Sequence, residues 1–257
     1  MKETALITGA SSGIGLDLAR LFAKEGYDVV LVARSEGKLR ALAAELERDR
    51  GVKAHVVVAD LAKADAARQL VGALPVDVDV LVNNAGFGVT GPFVETDLAN
   101  ELEMIQVNIV ALTELTKLLL GPMVARRRGR VLNVASTAAF QPGPLMAVYY
   151  ATKAYVLSFS EAIADELRDS GVTVTALCPG PTETGFAAVA DMTASRLFNV
   201  AKPMSSADVA RAGYEGMKRG RRIVIPGVKN KLLTQSIRVS PRRMVTTIVR
   251  KLQESRQ

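Results

Sequence analysis

The chain has 257 residues, 49% hydrophobic and 23% charged, which is ample for one substantial core. Aromatics are only 5%, and the single cysteine (Cys178) and single histidine (His55) exclude an internal disulfide and leave no material for a metal cluster. The net charge is +7, but residues 218–257 hold twelve Lys or Arg against one acid, Glu254, so the basic excess belongs to the tail and not to a chain built throughout for nucleic acid.

From the N-terminus, Met1-Lys2-Glu3 runs straight into an apolar stretch too soon broken by glycine to be a secretory leader. No apolar stretch reads as long enough to cross a bilayer, and the expected location is the cytoplasm. Strands are expected at 4–8, 28–33, 53–59, 79–82, 130–135, 173–177 and 222–225. Helical patterns fall between them at 15–25, 36–50, 65–73, 98–125, 149–170 and 207–219. Most of these strands are continuous apolar runs, as a strand buried on both faces requires, and the alternation predicts an α/β fold with a parallel sheet covered by helices on both sides. No Gly/Ser/Pro linker divides the chain, so 1–257 is expected to form a single domain. Two segments break the rhythm: 179–204, a connection long enough to be a lid or binding loop, and the tail after Gly227.

The first strand feeds Thr8-Gly9-Ala10-Ser11-Ser12-Gly13-Ile14-Gly15 and then a helix. Glycines there allow a sharp turn and close approach to a pyrophosphate, and the helix N-terminus adds free N–H groups. After the second strand stands Ala33-Arg34-Ser35, where an NAD site would place an acid for the ribose 2′-hydroxyl. Arg34, seconded by Ser35, suits a 2′-phosphate, which favours NADP(H). Asp60-Leu61 closes the third strand, where the carboxylate can accept from an adenine amino group or cap the next helix. Asn83-Asn84-Ala85-Gly86 closes the fourth and suits a wall against the cofactor, though these are also ordinary turn residues. Cys178, in an apolar run, reads as a small buried hydrophobe, and His55 as a solvated or edge side chain.

Ser136 ends the fifth strand, and Tyr149 and Lys153 follow at i and i+4 on one helix face. A free phenol titrates too high to exchange protons near neutrality, and a neighbouring ammonium is expected to lower its pKa. Ser136 and Tyr149 can bind one carbonyl oxygen and stabilise charge developing on it. Asn108 is a polar group amid Val107, Ile109 and Val110, and a buried amide there would hold water or a backbone carbonyl.

As a set, Thr8 to Gly15, Asn83 to Gly86, Asn108, Ser136, the Tyr149/Lys153 pair and Pro179-Gly180 resemble the classical short-chain dehydrogenase/reductase family over roughly residues 4–226. The resemblance implies a Rossmann-type three-layer α/β/α sandwich with a seven-stranded parallel sheet. It implies catalysis by Asn108, Ser136, Tyr149 and Lys153, with Lys153 also on the nicotinamide ribose. It further implies a cofactor site of Gly9, Ser11, Ser12, Gly13, Ile14, Gly15, Arg34, Ser35, Asp60, Leu61, Asn84, Ala85, Gly86, Tyr149, Lys153, Pro179, Gly180, Thr182 and Thr184. Relatives using NADP often carry a basic residue where this chain has Ser12, which leaves the cofactor preference on Arg34. The function implied is NADPH-dependent reduction of a carbonyl to an alcohol, or its reverse, by a homodimer or homotetramer. A non-catalytic NADP-binding scaffold is the alternative.

The expected substrate wall is Phe87, Phe93, Phe140, Leu145 and Met146, with Phe186, Met192, Leu197, Phe198 and Met204 from the loop, favouring an apolar ketone, aldehyde or acyl-type substrate. In the tail, Ser240-Pro241 reads as the start of an amphipathic helix at about 240–253. Met244, Val245, Ile248, Val249 and Leu252 form its apolar stripe, opposite Arg242, Arg243, Arg250 and Lys251. Such a helix can dock on the body or a partner subunit, or lie on an anionic membrane, which would make the enzyme a peripheral reductase of lipid-like carbonyls. Nucleic acid is not an expected partner. Arg126-Arg127-Arg128 reads as a solvated helix end.

Overall fold

The computed structural model describes residues 2–186 and 203–254. Its main sheet contains β1 (Thr4–Thr8), β2 (Asp28–Ala33), β3 (Ala54–Val58), β4 (Val80–Asn83), β5 (Gly129–Val134), β6 (Val172–Leu177) and β7 (Ile223–Val224). All pairs are parallel, in the order β3-β2-β1-β4-β5-β6-β7, with Ile7 opposite both Leu31 and Val82. The order reverses between β1 and β4, where crossovers leave to opposite sides of the sheet and a crevice must open. A separate two-stranded piece pairs Thr182–Glu183 with Met204–Ser205.

The helices are α1 (Gly13–Lys24), α2 (Glu36–Arg50), α3 (Ala66–Gly72), α4 (Leu98–Ala125), α5 (Ala147–Glu166), α6 (Ser206–Lys218), α7 (Val228–Val239) and α8 (Arg242–Gln253). Side chains alternate across a strand, so β1 sends Ala5 and Ile7 into a core with α1, α2 and α6, around Leu18, Phe22, Leu39 and Met217. It sends Leu6 to the other face, against Leu70, Leu115, Leu119 and Met123 of α3 and α4. This two-sided burial is why the strands are apolar throughout, and the three-layer arrangement agrees with expectation. Beneath the site, a buried polar chain ties α4 to α5 through the sheet. Asn83 donates to Thr116 Oγ1 and Asn133 Oδ1, and Asn133 donates to Ser160 Oγ, each at 2.9 Å.

Three expectations are corrected. α4 is long and apolar enough, by length and composition, to cross a bilayer; one of its faces nevertheless belongs to the core, through Met104, Leu115 and Met123. α7 was not foreseen. Ser240 closes α7, its hydroxyl donating to Ser236 O, so α8 is capped by Pro241 and starts one residue later than expected. Arg126, Arg127 and Arg128 are exposed at the end of α4, as expected, and from there Arg126 and Arg128 donate to Val78 O and Asp79 Oδ1.

Candidate active site

The crevice at the strand reversal is a cleft of about 510 Å³ running from the start of α2 to the end of α8. One wall is the turn between β1 and α1. Gly9 adopts φ +67°, and a Cβ there would lie 2.7 Å from Asn84 Nδ2. Asn84 Nδ2 donates to Thr8 O and Gly9 O at 2.9 and 3.3 Å, and Thr8 Oγ1 accepts the backbone N–H of Asn84 and Ala85 at 3.0 Å each. These bonds lock the turn to the end of β4. Gly15 lies behind it and does not line the cleft; a Cβ there would sit 2.3 Å from Gly9 O, so its part is to let helix and turn touch. Ser11, Ser12, Gly13 and Ile14 do line the cleft. Ser12 caps α1 without a side-chain hydrogen bond, which leaves the first-turn N–H groups available to an anion.

At the α2 end the lining includes Arg34, Ser35, Asp60 and Leu61, as expected. Lys38, one turn beyond Arg34, joins them and was missed. The Arg34 side chain is 73% exposed, with Glu103 at 3.9 Å, free to turn toward a phosphate. Asp60 accepts from Ala62 N at 3.2 Å, a turn-capping bond that leaves its second oxygen available.

Asn84, Ala85, Gly86, Pro179, Gly180, Thr182 and Thr184 line the middle. Thr182 donates to Gly180 O at 2.9 Å, and Thr184 Oγ1 accepts from Phe186 N at 3.2 Å, so both hydroxyls shape their own loop.

Ser136, Tyr149 and Lys153 meet at the far side. Ser136 Oγ accepts from Ala138 N at 3.1 Å and donates to Pro179 O at 3.5 Å, beside the Tyr149 phenol. Lys153 Nζ donates to Val134 O at 2.9 Å and lies 5.8 Å from the centre of the Tyr149 ring. The expected electrostatic effect is reversed. Burial pushes the Tyr149 phenol up, opposed only by Ser136, and pulls the Lys153 ammonium down to about 8. Asn108 sits in a π-helical stretch of α4, Gln106–Ala111, of the kind that turns a side chain inward at functional sites. Of the two partners expected for it, it holds the backbone: Nδ2 donates to Phe87 O and Thr152 Oγ1 at 3.0 Å each, and Oδ1 accepts from Phe87 N at 3.2 Å.

The substrate wall is only partly as expected. Phe87, Met146 and Phe186 line the cleft, the last with its ring 5.2 Å from that of Tyr149. Phe93 is 62% exposed, Phe140 packs with the cluster around Leu112 and Val156, and Leu145 stands at a strained φ of +68° outside the lining. Met204 packs on the core beside α6. Met192, Leu197 and Phe198 lie outside the described residues. Tyr150, Gln141 and Gln253 line the cleft and were missed. Gln253 stands four residues after Val249 and eight after Val245, on the one face of α8 that is buried, a spacing that the apolar stripe alone does not single out.

Comparison with known proteins bears on this arrangement. A family model described as short chain dehydrogenase matches residues 3–194. The chain belongs to the short-chain dehydrogenase family. It is 37% identical over 222 residues to serine 3-dehydrogenase of Agrobacterium fabrum (strain C58), covering 83% of this chain and 87% of that one. It is 41% identical over 175 residues to very-long-chain 3-oxoacyl-CoA reductase of Laccaria bicolor, covering 66% of this chain but about half, 52%, of that protein. A solved short-chain dehydrogenase from Sphingobium yanoikuyae in complex with NADPH superposes with a TM-score of 0.82 at 32% identity, covering 94% and 97% of the two chains. As a short-chain dehydrogenase this chain is an NADP(H)-dependent oxidoreductase acting on carbonyl or alcohol groups through a Tyr/Lys pair.

Proposed function

We propose that this dehydrogenase reduces an apolar ketone, aldehyde or acyl-type carbonyl with NADPH, using Tyr149 as the proton donor. The observation that carries the reading is one cleft with Ser136, Tyr149 and Lys153 at one end and Arg34, Ser35 and Lys38 at the other. The residues fit the dinucleotide: the Gly9 turn, held against Asn84 and Ala85 closer than a side chain would allow, the N-terminus of α1, whose Ser12 cap makes no side-chain hydrogen bond, for pyrophosphate, and two cations for a 2′-phosphate. When bound, its nicotinamide supplies the hydride.

The remaining steps belong to this chain. Burial keeps Tyr149 protonated at neutral pH, so the phenol can give its proton to a carbonyl oxygen as negative charge develops there. Ser136 hydrogen-bonds the same oxygen and shares that charge. Lys153, held by Val134 O, would hold the ribose hydroxyls of a bound dinucleotide, and its lowered pKa lets it return a proton toward Tyr149. Asn108 is a positioning residue that fixes the Phe87 backbone in the wall of the cleft. Phe87, Met146 and Phe186 favour apolar substrates. Kinship with a 3-oxoacyl-CoA reductase supports the acyl-type member of the class.

The test is NADPH consumption against ketones and aldehydes of graded size. Tyr149→Phe is expected to lower kcat about 10²- to 10⁴-fold, the range of general acid catalysis. Equal turnover by the variant refutes the assignment.

A second reading concerns where the enzyme works. α7 and α8 expose Val228, Leu232, Leu233, Val239, Met244 and Ile248 beside Lys229, Lys231, Arg238, Arg242 and Arg243, which suits peripheral contact with an anionic membrane. Co-sedimentation with anionic but not neutral vesicles, lost in Leu232→Ser/Leu233→Ser, supports it; no co-sedimentation removes it. Exposed Val110, Leu118 and Val124 on the outer face of α4 favour a homo-oligomer, read by light scattering.

A further inference from the structure

The last helix brings an amide into the substrate end of the cleft. Val245, Val249 and Gln253 are 7%, 4% and 3% exposed. The two valines anchor α8 in a cluster with Met104, Met146, Tyr149 and Tyr150, so its register on the body is set by apolar packing. The next position on that face would take another hydrophobic residue if packing were its only duty. It holds a primary amide, with two N–H donors and an acceptor oxygen to satisfy. Nε2 donates to the Tyr150 hydroxyl at 2.6 Å. Oε1 is buried and has no hydrogen-bond partner among the described residues, and Gln253 lines the same cleft as Ser136 and Tyr149.

A buried carbonyl oxygen without a donor is costly, and in a ligand cleft that cost is relieved when a ligand brings one. The Tyr150 hydroxyl accepts from Gln253 and still has its own proton to give. Its ring lies 6.0 Å from that of Tyr149, and both line the same end of the cleft.

We infer that Gln253 and Tyr150 form a polar subsite that selects substrates bearing a neutral hydrogen-bond donor, a hydroxyl or amide N–H, a short distance from the carbonyl that is reduced. The substrate donor goes to Gln253 Oε1, and a hydroxyl can accept from Tyr150 in return. A carboxylate is disfavoured, because it would place negative charge against Oε1. This inference rests on the proposed reading of the cleft as that of a carbonyl reductase, and adds a specificity element to its otherwise apolar wall.

The experiment uses the full chain with NADPH and pairs of aliphatic ketones differing only in a hydroxyl for a methyl group at successive carbons. The wild type is expected to prefer the hydroxy ketone at one position by about tenfold or more in kcat/KM, since a site with a buried acceptor penalises an analogue lacking the donor. Gln253→Leu, close in size but without the acceptor, is expected to erase that preference. Gln253→Glu, which keeps an acceptor, retains it. If Gln253→Leu fails to fold, Tyr150→Phe, which frees the amide from its orienting partner, is expected to reduce the same ratio. An unchanged ratio in the folded variants, or a wild type that prefers the methyl ketone at every position, overturns the subsite alone. A wild type that turns over neither member of any pair overturns the reductase reading and the subsite with it.

Discussion

Lys153 should cost the protein stability at neutral pH, and replacing it with methionine should recover part of that cost. The side chain is 6% exposed, and burial takes its pKa from the ordinary 10.5 down to about 8. That drop is worth about 3 kcal/mol against the folded state once the amine is fully charged. Losing the bond to Val134 O gives back about 1 kcal/mol, so Lys153→Met is expected to be more stable than the wild type by about 2 kcal/mol near pH 7. For a chain of this length that is a rise in Tm of about 4–8 °C. The pH dependence identifies the cause. Between pH 8 and 10.5 the unfolded lysine still binds a proton that the folded one has released, so wild-type stability rises with pH through this window and the gap to the variant closes. Thermal melts of both proteins at pH 7, 8, 9 and 10, without nucleotide, read it directly. A gap that does not change with pH, or a variant less stable at pH 7, refutes the reasoning.

Arg34→Ala is expected to lose about 10- to 100-fold in NADPH affinity with little change for NADH, by fluorescence titration; an unchanged preference would leave Lys38 as the discriminating cation. Gly15→Ala puts a methyl carbon 2.3 Å from Gly9 O and 2.4 Å from Asn84 Nδ2, so we expect a loss of about 1–3 kcal/mol in denaturant melts, together with weaker NADPH binding because the turn must shift. Asn133→Ala breaks the polar chain under the site, with an expected cost of about 2 kcal/mol; thermal melts unchanged from wild type would show that the chain contributes nothing.

What could be read from the sequence follows from where the physics leaves a mark. β1, β2, β4 and β6 are buried on both faces, so their apolar runs announce a parallel sheet without any knowledge of neighbours. The glycine turn and the Tyr149/Lys153 spacing are equally local, and both appear where expected. α7 left no such mark: its only buried residue is Thr234, and Leu232 and Leu233 point outward among lysines. In α8 the apolar stripe marked the helix but not its inward face, since Met244 and Ile248 are about half exposed while Gln253 is buried. Phe93, Phe140 and Leu145 share their apolar type with the lining residues, and type does not say which way a loop turns its side chains. Lys38 stands four residues after Arg34, a spacing that puts both cations at the same end of the cleft.

The instructive reversal is at Tyr149. Spacing brings an ammonium near a phenol, and in water that proximity would lower the phenol pKa. Here both groups are buried, and desolvation disfavours the charged form of each. The tyrosine is therefore held as an acid, and the lysine is held close to neutrality, where it can release a proton. That pairing matches the demand of reduction, in which an oxygen must receive a proton as it gains charge. Alcohol oxidation needs the opposite, an ionised Tyr149, and the same burial makes that state expensive. The two directions are therefore expected to differ in pH profile: with saturating nucleotide, carbonyl reduction should hold its rate through neutral pH, and alcohol oxidation should climb as the medium becomes alkaline. Parallel pH profiles of the two directions test this, and an oxidation rate already at its plateau near pH 7 would show that Lys153 lowers the Tyr149 pKa after all.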